Sequence, residues 1–208
     1  MNHRDLSTLG AGFGNEALGS QALFRTALEA LSHPGRVMDI GHDAQVPRQG
    51  HSASAALLLA MLDADCTLWL SPVLAASDAA LWLHFHTGCQ IVNDVATAQF
   101  VWVAQGDAMP ALASLGQGSD AYPDQSATCV MDVDVLSDAP KVQHAWVLQG
   151  PGIQTQQSLS VRGLAADFVQ QWAANHAGFP RGVDVLLAAQ SQLVGLPRTT
   201  AIHLLEGH

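Results

Sequence analysis

Four of the seven arginines in this sequence lie in or beside segments that interrupt its regular hydrophobic pattern. These arginines are Arg25, Arg36, Arg181 and Arg198. A guanidinium group can bind a phosphate or a carboxylate through two parallel hydrogen bonds. Because the chain has a net charge of −10, a local cluster of arginines is the natural place for an anionic ligand. The alternative is that each arginine holds a neighbouring acid or loop carbonyl, and composition alone favours neither hypothesis.

We predict that three of these arginines converge to form a cleft that holds an anion. Two of them flank a Pro-Gly turn at the end of a predicted helix, and the third precedes two threonines whose hydroxyl groups suit a phosphate or phosphonate oxygen. The predicted ligand-binding residues are Arg25, Arg36, His86, Asp184, Arg198, Thr199 and Thr200. The structural alternative is that Arg25 and Arg198 pair with Asp63, Asp65 or Asp184.

Two histidines and a cysteine, His84, His86 and Cys89, lie within six positions and could offer ligands to a metal ion. A strand would place both imidazoles on one face, whereas a helix would separate them, and the pattern from Ser77 onward favours a helix. No His-x-x-x-His or Cys-x-x-Cys pair completes a tetrahedral set. We therefore predict no metal site, and a metal-dependent hydrolase is kept only as an alternative function.

Nucleophilic catalysis has little support in the sequence. There is no Gly-x-Ser-x-Gly turn, and a turn explains Asp63-Ala64-Asp65 about as well as acid–base chemistry does. Lys141 is the only lysine, and it follows Pro140 in a predicted exposed turn. An exposed lysine stays protonated at neutral pH, which makes it a poor Schiff-base nucleophile. We predict that the protein binds no cofactor and forms no aldimine with pyridoxal phosphate (PLP).

Charge and composition narrow the partners of the protein. A net charge of −10 excludes a generic nucleic-acid binder and a polybasic membrane-surface protein, since both need basic patches. Charged residues make up 12% of the chain, against about 25% in an average soluble domain. Uncharged or apolar side chains must then cover part of the surface, which favours an obligate oligomer or a complex subunit. A compositional bias of a GC-rich genome is an alternative, and the two are compatible.

Cysteine usage and the absence of a targeting pattern favour a cytoplasmic protein. The three cysteines form no Cys-x-x-Cys pair, which is typical of a reducing compartment. The N-terminus lacks the apolar segment of a secretory signal. The longest apolar run, from Ala53 to Leu62, is far shorter than the roughly 20 residues that a bilayer requires. We therefore predict no membrane association.

Hydrophobic periodicity predicts a single domain over residues 1–208 in which helices and strands alternate, after a flexible N-terminal segment at 1–19. Ser20 is the predicted cap of the first helix, which should end at His33-Pro34-Gly35. Further helices are predicted at 52–62, 77–87 and 165–177. Strands are predicted at 37–40, 67–70, 100–103, 129–135, 145–148, 158–164, 183–188 and 200–205. Residues 105–127 are predicted to form a long surface connection. The pattern fits an α/β or α+β domain.

Six short motifs, in order along the chain, resemble those of the PhnH family. Its members are subunits of the bacterial carbon–phosphorus lyase system for phosphonate use. The resemblance runs from about residue 20 to residue 205. The motifs are Phe24-Arg25 with Ser32-His33-Pro34-Gly35, Leu62-Asp63-Ala64-Asp65-Cys66-Thr67 with Trp69-Leu70, Phe85-His86-Thr87-Gly88, Gly150-Pro151-Gly152-Ile153, Phe179-Pro180-Arg181-Gly182-Val183-Asp184, and Pro197-Arg198-Thr199-Thr200. His84 stands where the family often has arginine, and Arg181 stands where it usually has an apolar residue.

The resemblance implies a fold, partners and an activity. The family fold is a three-layer αβα-like sandwich with a mixed sheet, similar to the large domain of PLP-dependent transferases but without the cofactor, and it forms a homodimer. Family members act with the subunits PhnG, PhnI, PhnJ and PhnL. The core complex contains PhnG, PhnI and PhnJ. With PhnG, PhnI and PhnL, family members support synthesis of alpha-D-ribose 1-methylphosphonate 5-triphosphate, in which methylphosphonate displaces adenine from ATP. The nucleosidase activity is attributed to PhnI. The alternative function for this chain is that of a stand-alone PLP-type transferase. The anionic ligand would then be a phosphonate or a nucleotide.

Overall fold

A computed structural model describes residues 9–139 and 145–204 of the chain. Five α-helices and eleven strands lie within these described residues. The helices are α1 (Glu16–Ser32), α2 (Ser52–Met61), α3 (Pro72–Ala75), α4 (Ala79–Thr87) and α5 (Phe168–Ala177). The strands are β1 (Met38–Asp39), β2 (Thr67–Leu70), β3 (Gln90–Ile91), β4 (Phe100–Val103), β5 (Thr128–Asp132), β6 (Val135–Ser137), β7 (Trp146–Gln149), β8 (Gln157–Arg162), β9 (Asp184–Ala189), β10 (Gln192–Leu196) and β11 (Ala201–Leu204).

Seven strands form a mixed central sheet in the order β1-β10-β9-β5-β4-β2-β3. The strands from β9 across to β3 are parallel to one another, while β10 is antiparallel to both β9 and β1. A second sheet, with the order β11-β7-β8-β6, is antiparallel throughout. The predicted α/β class and mixed sheet are therefore confirmed.

The central sheet separates two apolar clusters, which accounts for the buried runs of its strands. On one face, α1, α2 and α4 pack against buried residues such as Leu68, Trp102 and Leu186. On the other face, α5 and the four-stranded sheet pack against Val101, Cys129 and their neighbours. The second outer layer is thus made by one helix and a small sheet.

The cap of helix α1 lies five residues earlier than predicted. The structure places its cap at Asn15, whose side chain accepts a hydrogen bond from the Leu18 N–H at 3.1 Å, and Ser20 lies inside the helix. An asparagine satisfies the exposed N–H groups of a first turn as well as a serine does, and hydrophobic spacing does not distinguish the two. The helix ends at Ser32 with His33 as its cap, as predicted.

The helical spacing of Phe24 and Leu28 with Leu23 and Ala27 predicts that they face inward, but they are 47% and 52% exposed. The face of α1 that enters the core instead carries Leu23, Ala27 and Ala30. Small residues are required there because α1 lies directly on β10. A Cβ atom on Gly195 would come within 2.4 Å of the Ala30 carbonyl oxygen. Helix α1 therefore leaves apolar surface in solvent.

The segment before α1 lies against the helical layer from Leu9 onward. Leu9 and Phe13 pack on the apolar cluster, and the carbonyl of Gly10 accepts a hydrogen bond from the Trp82 indole at 2.9 Å. None of the helices in residues 9–139 and 145–204 combines the length and the apolar composition needed to cross a membrane. Lys141, the predicted exposed lysine, lies outside the described residues.

Candidate functional site

Arg198 joins three separate parts of the chain through hydrogen bonds. Its Nε donates to Asp184 Oδ1 at 3.1 Å, and its Nη2 donates to Asp184 Oδ2 at 2.6 Å. Nη1 donates to the carbonyls of Pro123 and Pro180, and Nη2 also donates to the Ser126 hydroxyl. All five N–H groups of this guanidinium therefore have acceptors, which is the full donor capacity of an arginine. These contacts, above all the pairing with Asp184, are those expected if Arg198 has a structural role.

The two threonines after Arg198 lie beside α5. The indole of Trp172 donates to the Thr200 carbonyl at 2.8 Å, and His176 donates through Nδ1 to the Arg198 carbonyl at 2.8 Å. Thr200 is completely buried, and its hydroxyl has no hydrogen-bond partner among the described residues. The segment is thus held by its backbone, since its carbonyls and not its hydroxyls make these bonds.

Arg36 lies at a different place, beside a cavity of about 260 Å³ at the end of α1. It pairs with Glu29 at 3.7 Å, and the two side chains are 58% and 49% exposed. The cavity is lined by His33, Pro34, Arg36 and the turn at residues 152–157. Gly152 has a φ of +84°, and a Cβ there would approach the Ser32 carbonyl to 2.2 Å, so only glycine lets the turn lie this close to α1.

His86 lies on α4 at a cavity of about 330 Å³. Its Nε2 donates to the Gly10 carbonyl at 3.0 Å, because a carbonyl can only accept. Glu16 and Asp63 contribute carboxylates to the lining. Hydrogen bonds, above all from the Cys66 thiol, lower the pKa of Asp63. This lining opposes an anion, and it includes none of the predicted arginines.

The other histidine of this segment, His84, makes its hydrogen bond at a different place from His86. His84 donates through Nδ1 to the Cys89 carbonyl at 2.8 Å, across the end of α4. No group of three or more His, Cys, Asp or Glu side chains within residues 9–139 and 145–204 is arranged to hold a metal ion. Of the remaining predicted residues, Arg25 is exposed on α1. The structure therefore brings together Arg198 and Asp184, while the cleft shared by all seven residues stays a prediction.

Three of the motifs meet around the turn at residues 150–153. A Cβ on Gly150 would approach the Thr199 carbonyl to 2.7 Å, and Gly152 touches the Ser32 carbonyl in the same way. Gly35 donates its N–H to the carbonyl of Gly195, which places the Pro-Gly turn after α1 on β10. The glycines of these motifs thus let three distant segments come into backbone contact at one corner of the fold.

The carboxyl ends of the parallel strands hold a buried carboxylate that sequence reasoning missed. Asp132 is the last residue of β5 and is 4% exposed. It accepts hydrogen bonds from the Ser54 hydroxyl, from the Trp102 indole at 3.1 Å and from the His51 N–H at 2.9 Å. Burial raises the pKa of Asp132, and this effect outweighs the three donated hydrogen bonds and the charge of His51, which lower it.

The position of Asp132 is where open α/β sheets usually bind ligands. A cavity of about 250 Å³ lies at these strand ends and is lined by Asp107, Asp132 and Gly163, among others. The sequence did contain a signal, since Asp132 interrupts the otherwise apolar run at 129–133. A charged residue inside a run that is buried on both faces needs hydrogen-bond partners, and this requirement marks the residue as special.

Comparison with known proteins gives consistent results over nearly the whole chain. A family model described as PhnH, bacterial phosphonate metabolism protein, matches residues 11–203. A protein of Rhizobium meliloti (strain 1021), named alpha-D-ribose 1-methylphosphonate 5-triphosphate synthase subunit PhnH, is 33% identical over 190 residues, which cover 91% of this chain and 93% of that protein. The protein HtxG of Stutzerimonas stutzeri, whose name describes a C–P lyase subunit, is 34% identical over 192 residues, covering 90% and 88%.

Proposed function

The chain belongs to the PhnH family of bacterial phosphonate metabolism proteins, and on that premise we propose that it is a subunit of an alpha-D-ribose 1-methylphosphonate 5-triphosphate synthase. The observation that carries this proposal is the 33% identity to a protein of that name, over 93% of its length. The second relative, named as a C–P lyase subunit, supports the same pathway. We infer that its partners are the subunits PhnG, PhnI, PhnJ and PhnL.

Within such a complex, we propose a role in binding and assembly for this subunit, with the bond-breaking chemistry carried by a partner. The hydrogen bond between the Ser54 hydroxyl and the Asp132 carboxylate supports this proposal. Ser54 and Asp132 are both buried, and Ser54 uses its proton in a hydrogen bond to Asp132. The nearby imidazole of His51 donates through Nε2 to the Val133 carbonyl. No member of this cluster is therefore free to act as an exposed nucleophile or base.

Reconstitution of the complex tests this function. We expect a mixture of the partner subunits to form alpha-D-ribose 1-methylphosphonate 5-triphosphate from ATP and methylphosphonate only when this chain is present. Product can be followed by phosphorus NMR, with this chain omitted in the control. Undiminished synthesis without the chain, or failure of the chain to co-purify with any partner, would contradict the proposal.

We also propose that the protein forms a homodimer, supported by its small fraction of charged residues and by the exposed apolar side chains of α1. Leu18, Phe24 and Leu28 are 64%, 47% and 52% exposed. An obligate interface buries more than about 2,000 Å² in total. Light scattering should give a dimer for the isolated chain and a monomer for Phe24→Glu with Leu28→Glu. Tyr122→Ser, a change at another exposed aromatic residue, should leave the dimer intact, and a monomeric wild type would contradict the proposal.

Two further parts of the proposal concern location and fold origin. We propose that the protein acts in the cytoplasm, where its cysteines stay reduced as thiols. Burial raises the pKa of the Cys129 thiol to about 12 and also raises the pKa of Cys66 and Cys89.

We propose too that the fold is related to the large domain of PLP-dependent transferases without retaining the cofactor. The long parallel part of the central sheet supports that relation.

A further inference from the structure

The cavity at the end of α1 differs in charge from the other cavities already described. Glu16 and Asp63 line the cavity beside His86, and Asp107 and Asp132 line the one at the strand ends. The cavity at the end of α1 is lined by a guanidinium, an imidazole, a threonine hydroxyl and glutamine amides, with no carboxylate. In a protein of net charge −10, this cavity is the one of the three whose lining carries a guanidinium and no carboxylate, and Glu29 pairs with Arg36 from outside the lining.

The guanidinium of this cavity is available to a ligand. Arg36 has an ion pair with Glu29 at 3.7 Å, and both side chains are about half exposed. Exposed ion pairs of this kind contribute little to stability, so a competing anion can displace the carboxylate at little cost. Arg198 provides the contrast, since its side chain is 12% exposed and every N–H group already has an acceptor.

The neighbouring groups add hydrogen-bond donors. The Glu29 carbonyl accepts the His33 N–H at 3.0 Å and the Ser32 hydroxyl at 3.1 Å, and His33 Nδ1 lies 3.1 Å from the same oxygen. These two bonds satisfy a carbonyl at the end of α1 that would otherwise repel an anion. Within the described residues, the backbone N–H groups of Gln154 and Thr155 donate to no other residue. The turn therefore has unused donors next to Arg36.

We propose that this cavity binds the tetrahedral oxyanion of a phosphonate or phosphate group, with Arg36 as its principal ligand. The Thr155 hydroxyl and the two free amides of the turn complete the donor set, because charge-assisted bonds to phosphorus oxygens are among the stronger hydrogen bonds in proteins. The choice of phosphonate among possible oxyanions rests on the proposed function. The cavity of about 260 Å³ suits a small group of this kind better than a whole nucleotide.

Titration of the isolated full-length chain with methylphosphonate tests the site by calorimetry and by amide NMR. We expect saturable binding, with shifts at the amides of Gln154 and Thr155. Arg36→Ala should weaken binding about tenfold or more, as loss of a charged donor implies. Glu29→Gln should strengthen it at least twofold, because this change removes the competing carboxylate. Arg48→Ala changes the net charge equally but lies outside the cavity lining, so it should bind as the wild type does.

Parallel titrations with inorganic phosphate and with ATP distinguish the sources of the oxyanion. Tighter binding of methylphosphonate assigns the cavity to the phosphonate substrate, and tighter binding of ATP assigns it to a phosphate of the nucleotide. Absence of saturation with all three compounds, or equal affinities of Arg36→Ala and Arg48→Ala, would overturn the proposal. These measurements need no partner subunit, so the site and the synthase function can fail independently.

Discussion

Replacing Arg198 with alanine is expected to lower the free energy of unfolding by about 3 kcal/mol, more than any other single arginine change that we consider. The substitution leaves the carboxylate of Asp184, which is 25% exposed, without its cationic partner. It also removes the donors that satisfy the carbonyls of Pro123 and Pro180. Removal of one member of a buried pair costs roughly 3–5 kcal/mol, and residual exposure here places the effect at the lower end.

For a domain of this size, a loss of about 3 kcal/mol lowers the melting temperature by roughly 6–12 °C. Calorimetry of the purified chain measures this shift. Arg181→Ala is the matched control, since Arg181 pairs with Asp120 at 3.3 Å but the side chains are 58% and 80% exposed. That variant should stay within about 0.5 kcal/mol of the wild type. If Arg198→Ala has the same melting temperature as Arg181→Ala but abolishes synthase activity in the complex, the result would instead assign Arg198 to ligand binding.

The sequence was sufficient to predict the elements whose signal is local. Strands β2 and β4 have the predicted bounds, because Thr67–Leu70 and Phe100–Val103 are short apolar runs that end at turn residues. The end of α1 at His33-Pro34-Gly35 is equally local, since proline restricts the residue before it. Strand β10 was missed. Gly195, the fourth of its five residues, weakens the strand pattern, and the distant packing of α1 on the sheet is what requires the glycine.

The candidate sites depend on contacts between distant residues, which spacing along one sequence does not reveal. The acceptors of Arg198 at Pro123 and Ser126 lie more than 70 positions away in the sequence. No motif therefore predicted these two hydrogen bonds. The cavity beside Arg36 joins the end of α1 to residues 152–157, more than 100 positions later. Sequence reasoning selected Arg36 by its type and its turn, but His33 and Thr155 joined it only through the fold.

The second large effect is expected at Asp132. Asp132→Ala removes the acceptor of three donors: the Ser54 hydroxyl, the Trp102 indole and the His51 N–H. Each buried donor left without an acceptor costs about 1–3 kcal/mol, so the sum should exceed about 2 kcal/mol even if the hydroxyl finds another partner. Denaturant unfolding, followed by tryptophan fluorescence, measures the loss. Asp124→Asn, at an exposed position, should change stability by less than about 0.5 kcal/mol.

Asp132→Asn separates the charge of this carboxyl from its hydrogen bonds. The amide can accept from Ser54 and Trp102, but its NH₂ group then faces the His51 N–H, so two donors meet and stability should fall by about 2 kcal/mol. A melt that matches the wild type at neutral pH would show that the His51 contact contributes nothing.

The pH dependence of that difference follows from the direction of the pKa shift. Burial raises the pKa of Asp132 above its ordinary value of 3.8, so the folded chain binds this proton more tightly than the unfolded chain does. The contribution of the carboxyl to stability is then greatest below 3.8 and declines as the pH rises through the raised pKa. Asparagine does not titrate, so the stability difference between wild type and Asp132→Asn should narrow between pH 4 and pH 8. If the difference widens over this range instead, the donated hydrogen bonds outweigh burial, and the carboxylate is the form that the fold selects.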